Sequence, residues 1–214
     1  MVLTKLDGID SSMPSTNTYL LPLSYMAPIE YYAYLCQYNC QIEVHEHFIK
    51  QSIRNRATIY GSNGALNLTV PKVRKSSSKT SLKDLKISHE FNWAKEHWQS
   101  LMSAYRSSPF FEYFEEDFFS FYQKKFNFLF DLNVELHLLI CSKIGISQDL
   151  NFTTTYSSST DCIDLRNYKF NKEELPRYIQ VFENKYGFLP NLSILDLLFN
   201  EGKNAKTYLE KINI

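Results

Sequence analysis

Five short stretches of the sequence bring together residue types that could do chemistry. Lys50-Gln51-Ser52-Ile53-Arg54-Asn55-Arg56 gathers three cations and two amides within seven residues. On extended backbone Arg54 and Arg56 project to one face. Two guanidiniums so placed form a fork for phosphate or carboxylate. The plainer reading is a strand edge kept in water by its charge. Gln51 and Asn55, with Asn63 further along, are the amides that could orient an acceptor. Just upstream, His45-Glu46-His47 puts two imidazoles on one strand face, an acid/base site or half of a metal pair. No third ligand has a fixed spacing, so no metal is assigned, and His45 is read as a general base at a strand's C-terminal end.

The third stretch is Trp93 to Pro109. His97 follows Trp93 by four residues and shares its helical face. It is the second candidate base, beside an indole that could stack on a sugar or a nucleobase. Trp98 and Tyr105, seven apart, read instead as core. In the fourth stretch, Asp161 to Asn167, Asp164 and Arg166 have extended spacing. They either pair with each other or hold substrate. In the fifth, Asn191 to Gly202, Asp196 sits among Ile194, Leu195, Leu197, Leu198 and Phe199. A carboxylate buried there needs a partner, and one of the arginines above is the expected one. Asp196 and Asp164 are therefore supporting residues.

The elements that must position these side chains follow from pattern. Thr18 to Leu23 is a continuous apolar run, a buried strand. Pro28 opens a helix over Ile29 to Gln37, and Gln41 to His45 alternates as a half-buried strand does. Strand, helix, strand in that order implies a parallel pair with a helical crossover. Ala57 to Tyr60 and Ala65 to Val70 flank Gly61-Ser62-Asn63-Gly64, a hairpin signal. Lys72 to Lys83 is a Ser-rich basic loop that could act as a lid over an anion, and Leu85 to Ile87 could be a short strand. Helices are expected over Trp93 to Tyr105, over Phe110 to Leu132 as one or two pieces, and over Val134 to Ile144, where Gly145 stops the last. Phe152 to Tyr156 is a strand candidate, Thr160 to Tyr168 a polar segment. Pro176 to Tyr186 and Ser193 to Phe199 read as short helices. The fold class is mixed α/β: a small mixed sheet with a βαβ start and a hairpin, a helical region at about 92–145, and C-terminal helices. Residues 1–15 read as a loose segment and 16–214 as a single domain.

Composition narrows the classes. With 23 basic and 23 acidic residues the formal charge is zero, which argues against a nucleic-acid partner. The 16 Phe and 15 Tyr against 2 Trp suit an aromatic cleft, but a Phe-rich core accounts for them as well. Cys36, Cys40, Cys141 and Cys162 make no CxxC and read as reduced thiols, the first two packed on one helix. The start lacks a cationic stretch followed by an apolar run, and no segment approaches the length of a membrane span, so a cytoplasmic location is expected. No GxGxxG, GxxxxGK[ST], GxSxG or HExxH occurs. No cofactor is called for.

Several segments together resemble one family. They are LLPLSYMAPIEYYAYLCQY, KQSIRNRATIYGSNGALNLTVPK, WAKEHWQSLMSAYRSSPFFEYFEEDF, DLRNYKF and YIQVFENKYGFLPNLSILDLLFNEG, in order over residues 19–202. The chain is similar to the WbqC-like family, whose members accompany genes for O-antigen and other surface glycans. The resemblance implies a cytoplasmic transferase of bacterial surface-polysaccharide biosynthesis, with acyl or aminoacyl transfer to a nucleotide-activated sugar. Its ligand would be an anionic small molecule, a sugar nucleotide or an activated acyl donor. The alternative is a non-catalytic binding or assembly factor of a polysaccharide-synthesis complex. One departure stands out: the family's His-Gln-Pro-Tyr-like stretch after the first strand is Leu20-Leu21-Pro22-Leu23-Ser24-Tyr25 here.

Overall fold

The computed structural model describes residues 18–73, 80–146, 151–157 and 162–214. The N-terminal segment 1–15, the centre of the basic loop (74–79) and Asp161 lie outside them.

Strand β1 (Thr18–Pro22) enters the core, with Leu20 and Leu21 fully buried. Helix α1 (Ile29–Gln37) then crosses back to β2 (Cys40–Glu43), which pairs parallel with β1. Pro28 cannot cap α1 with its side chain, so distant residues supply the caps. The Ile29 N–H donates to the Leu192 carbonyl (3.0 Å) and the Glu30 N–H to Asn191 Oδ1 (2.9 Å). Two short strands, β5 (Asn151–Phe152) and β6 (Cys162–Asp164), flank this pair. The order is β5-β2-β1-β6, and every pairing is parallel. Parallel strands buried on both faces read as unbroken apolar runs, which is why β1 was legible and the three-residue β6, expected only as a polar segment, was not.

The hairpin β3 (Arg56–Gly61) and β4 (Gly64–Thr69) forms its own two-stranded sheet. Its turn is Ser62-Asn63, and Gly64 takes the positive φ of 98° that closes it. Helices α2 (Trp93–Tyr105), α3 (Phe111–Gln123) and α4 (Leu129–Ile144) follow. Asn92 caps α2 by accepting from the Lys95 N–H. In α3 Phe111, Phe114, Phe118 and Phe121 form the buried stripe, while Tyr113 and Phe119 face outward. Gly145 ends α4 in the left-handed region (φ 82°), and both Gly145 and Ile146 donate to the Cys141 carbonyl.

The C-terminal part differs from expectation. Only Glu183–Tyr186 (α5) of the helix expected over Pro176 to Tyr186 is helical. The preceding residues run as an irregular strap that buries Leu175, Tyr178 and Gln180 and leaves Arg177 and Ile179 exposed. Helix α6 (Ile194–Glu201) is followed by an unforeseen α7 (Ala205–Lys211). Leu85 to Ile87 makes only isolated bridges, to Lys72 and Phe128, after a 3₁₀ turn at Leu82–Asp84. Cys40 lies on β2, so it does not share a helix with Cys36, and all four thiols are free. One hydrophobic cluster runs from Leu21 to Ile212.

Candidate functional site

The four parallel strands end together, and ligands in such sheets gather at the carboxyl ends of the strands. Glu43 is the last residue of β2 and is fully buried. Its Oε1 accepts from the His45 N–H (2.7 Å) and the Thr153 hydroxyl (2.9 Å). Its Oε2 accepts from the Ser157 N–H (2.8 Å) and Arg166 Nη1 (3.4 Å). Four donors from the ends of three segments thus converge on one carboxylate.

Arg166 follows β6 and is 7% exposed. It grips Asp164 two residues back, Nε to Oδ1 at 2.9 Å and Nη2 to Oδ2 at 2.7 Å, so the expected pair forms within β6 and the turn after it. That contact holds the Asp164 carboxyl below its ordinary range. The face of Arg166 lies over the Tyr156 ring (4.9 Å). Behind it, Arg54 (2% exposed) makes a two-pronged bond with buried Glu46, Nε to Oε1 at 2.7 Å and Nη2 to Oε2 at 2.5 Å, and donates to the Arg166 carbonyl at 3.0 Å. Burial nevertheless raises the Glu46 carboxyl, because desolvation outweighs the guanidinium beside it.

The guanidinium fork is therefore not formed. Ile53, Arg54 and Asn55 lie in turns, with the Asn55 N–H returned to Ser52, so the strand's period of two starts only at Arg56. Arg54 turns inward and Arg56 outward into water. Asn55 is also buried, its amide donating to the Val70 carbonyl (2.9 Å). Gln51 is exposed and held at φ 57°, a conformation that costs a non-glycine residue about 1–2 kcal/mol. Asn63 is exposed at the hairpin tip.

At the rim stands His45, half-buried. Its Nε2 is 3.1 Å from the Thr153 carbonyl, which can only accept, so Nε2 carries the hydrogen and Nδ1 a lone pair. The Lys83 ammonium sits beside the imidazole, 3.4 Å from Nε2 and 3.5 Å from Nδ1, and over the Phe130 ring. His47 is exposed and makes an isolated antiparallel bridge to Ser81; β2 ends at Glu43, so His45 and His47 do not share the expected strand face. Among the described residues no group of three or more His, Cys, Asp or Glu could hold a metal ion.

The other candidates lie elsewhere. His97 is buried, with Nδ1 2.8 Å from the Tyr25 hydroxyl, which meets the Tyr122 hydroxyl at 2.7 Å. Burial pushes its imidazole down to about 4, against a hydrogen bond to the Thr69 backbone that pulls the other way. The ring is thus neutral and engaged on both sides. Trp93 packs edge-on against His97 (5.2 Å) and lines an open groove between α2 and α3. Asp196 is fully buried, but the hydrogen-bond partners of its Oδ2 are the Tyr178 hydroxyl and Gln180 Nε2 (2.9 Å), not an arginine, and Oδ1 has no partner among the described residues. These neutral donors pull its carboxyl down, yet burial pushes it up to about 6.

Glu43, Glu46, Thr153 and Lys83 were not foreseen. Glu46 was visible only as the residue between two histidines, and no sequence signal tied it to Arg54 eight residues on.

Profile comparison settles the lineage: a model of the WbqC-like protein family matches residues 24–166, from the residue after Leu23 through the Arg166 clamp. The chain belongs to the WbqC-like protein family. It is also similar to a Mycobacterium tuberculosis protein named "Uncharacterized protein Rv1507c", 28% identical over 193 residues, covering 76% of this chain and 83% of that one. No solved structure matches it. The family match takes in Glu43, Glu46, Arg54 and Arg166 and begins just after β1. No helix among the described residues is long and apolar enough to cross a membrane.

Proposed function

We propose that this WbqC-like protein is a cytoplasmic transferase of bacterial surface-polysaccharide biosynthesis, of O-antigen type. The carboxyl edge of the parallel sheet receives the anionic, activated donor, and His45 is the general base for acyl or aminoacyl transfer to a nucleotide-activated sugar. The observation that carries the reading is the state of His45. Its Nε2–H is tied to the Thr153 carbonyl, which leaves Nδ1 as the basic nitrogen of the neutral ring, and the Lys83 ammonium beside the ring supplies the cation an anionic ligand requires. In the step itself, Nδ1 takes the proton of the attacking amine or hydroxyl as that group adds to the acyl carbonyl, and the donor's anionic leaving group departs. Arg54 and Arg166 do not touch substrate in this account. They pair with Glu43, Glu46 and Asp164 and so fix the strand ends beside His45. Gln51, Arg56 and Asn63 are exposed and remain available to acceptor groups, Asn63 from the far tip of the β3–β4 hairpin. Trp93 and His97 belong to a separate wall.

The test is thermal stabilisation by sugar nucleotides, aminoacyl donors and acyl-CoA, since a ligand that binds only the folded state raises its apparent stability. A shift that disappears in Lys83→Ala and persists in Arg56→Ala supports the edge as the donor site. No shift with any of the three classes sinks the proposal. The second reading is a non-catalytic binding or assembly factor. The engagement of both buried guanidiniums with the chain's own carboxylates favours it. Stabilisation by a partner protein alone would select it.

A further inference from the structure

The groove between α2 and α3, of about 1180 Å³, plays no part in the sheet-edge reading. Its floor is aromatic: Trp93, Trp98 and Tyr122 are nearly buried, and Trp98 lies 5.7 Å from the Phe119 ring. Its rim carries Phe91, 50% exposed, and Phe119, 44% exposed, two phenyl faces presented to whatever enters. Trp93 is 3% exposed, and its indole N–H has no hydrogen-bond partner among the described residues.

Charge decides the kind of ligand. Glu90, Glu112, Glu115 and Glu116 line the groove, and none is in an ion pair among the described residues. The opposing lysines are Lys95, Lys124 and Lys125, and Lys124 is tied to Glu135 outside the groove. Acid is thus in excess around an aromatic surface. That combination repels a polyphosphate and attracts an organic cation, through the ring faces and the carboxylates together. Asn92, Gln99 and Gln123 add neutral hydrogen-bonding groups suited to hydroxyls. We propose that this groove is a binding site for a cationic, amine-bearing and hydroxyl-rich small molecule, of which an amino sugar is the simplest example. The anionic donor is excluded from it.

The sequence holds two tryptophans, and both line this groove, so intrinsic fluorescence reports on it directly. The probes are a glucosamine trisaccharide and its fully N-acetylated counterpart, compared at slightly acid pH where the amines are protonated. The expected result is a saturable fluorescence change with the amine form, at least tenfold tighter than with the acetylated form and weakened by added salt. Phe119→Ala, at an exposed position, should weaken it at least fivefold, as should the Glu115→Gln, Glu116→Gln double variant. His45→Asn should leave it unchanged, which separates failure here from failure at the sheet edge. Equal affinity for the two sugars, no response to either, or wild-type binding by Phe119→Ala overturns the proposal.

Discussion

Arg54→Ala tests the architecture of the sheet edge. The substitution leaves Glu46, whose side chain is 5% exposed, without its counter-charge, and takes one donor from the Arg166 carbonyl. Removing one partner of a buried ion pair costs about 3–5 kcal/mol. For a chain of this size each kcal/mol lowers the melting temperature by about 2–4 °C, so the loss should be roughly 6–20 °C. That is a large part of the ~5–15 kcal/mol that holds a typical domain together. Replacing both partners, Arg54→Met with Glu46→Leu, removes the charge and its penalty together and should recover most of the loss, because apolar replacements of buried pairs are often neutral or better. Thermal and urea unfolding of the two single variants and the double variant form the cycle. Coupling below about 1 kcal/mol, or a melting temperature of Arg54→Ala within two or three degrees of wild type, would refute the claim that this pair holds the strand ends. It follows that loss of activity in Arg54→Ala alone says nothing about catalysis.

Four further outcomes are expected. Asp196 has its carboxyl raised to about 6 in the folded protein, above the unfolded value near 3.9. The folded state therefore binds the extra proton between those values, and this group's contribution to stability is full below about pH 4 and lost as pH rises through 6, by about 3 kcal/mol in all. Asp196→Asn should remove that slope in the difference between the two pH–stability profiles, and an unchanged slope would contradict the buried-carboxylate account. His97 and His137 are both pushed down to about 4 by burial, so nitrogen NMR should show them neutral at pH 5; charged rings there would contradict the packing. Gly202→Ala should cost more than Gly64→Ala. Both positions have positive φ, but a Cβ at 202 would lie 2.5 Å from the Phe110 ring while one at 64 meets nothing within 4 Å, so about 2–5 against 1–2 kcal/mol is expected in urea unfolding. Gln51→Gly should raise stability or leave it unchanged, since glycine relieves the strained φ; a clear loss would mean the glutamine side chain supports the fold.

Legibility in the sequence tracked the range of the forces involved. The β1–α1–β2 start and the hairpin declared themselves because their signals are local: a continuous apolar run, Pro28 at a helix start, a glycine at a turn. Helix α2 was read to its ends, because the apolar spacing of Trp98, Leu101, Met102 and Tyr105 marks it within a few residues. The candidate site was half visible. His45, Asp164 and Arg166 stood out by type, and the fold brings them to one edge. Glu43 and Glu46 did not stand out, because their burial is decided by Arg166, 123 residues away in the chain, and by an arginine that a turn points inward. The expected fork failed for the same reason: period-two reasoning assumes a strand, and a serine-started turn occupied the place. The strap before α5 looked helical by composition, but Tyr178 and Gln180 are committed to Asp196 and to the Leu189 carbonyl, and those tertiary bonds override propensity.

The central claim is a location: donor phosphate or carboxylate at the carboxyl end of the parallel strands, within reach of Lys83 and His45. The most direct measurement is a crystal structure of the protein soaked with a stable analogue of an aminoacyl adenylate, the activated donor. The account predicts its phosphate at that edge, hydrogen-bonded to Lys83, with the acyl carbonyl near His45 Nδ1. Phosphate density in the acidic groove between α2 and α3, or at Arg56 with the edge vacant, would contradict it.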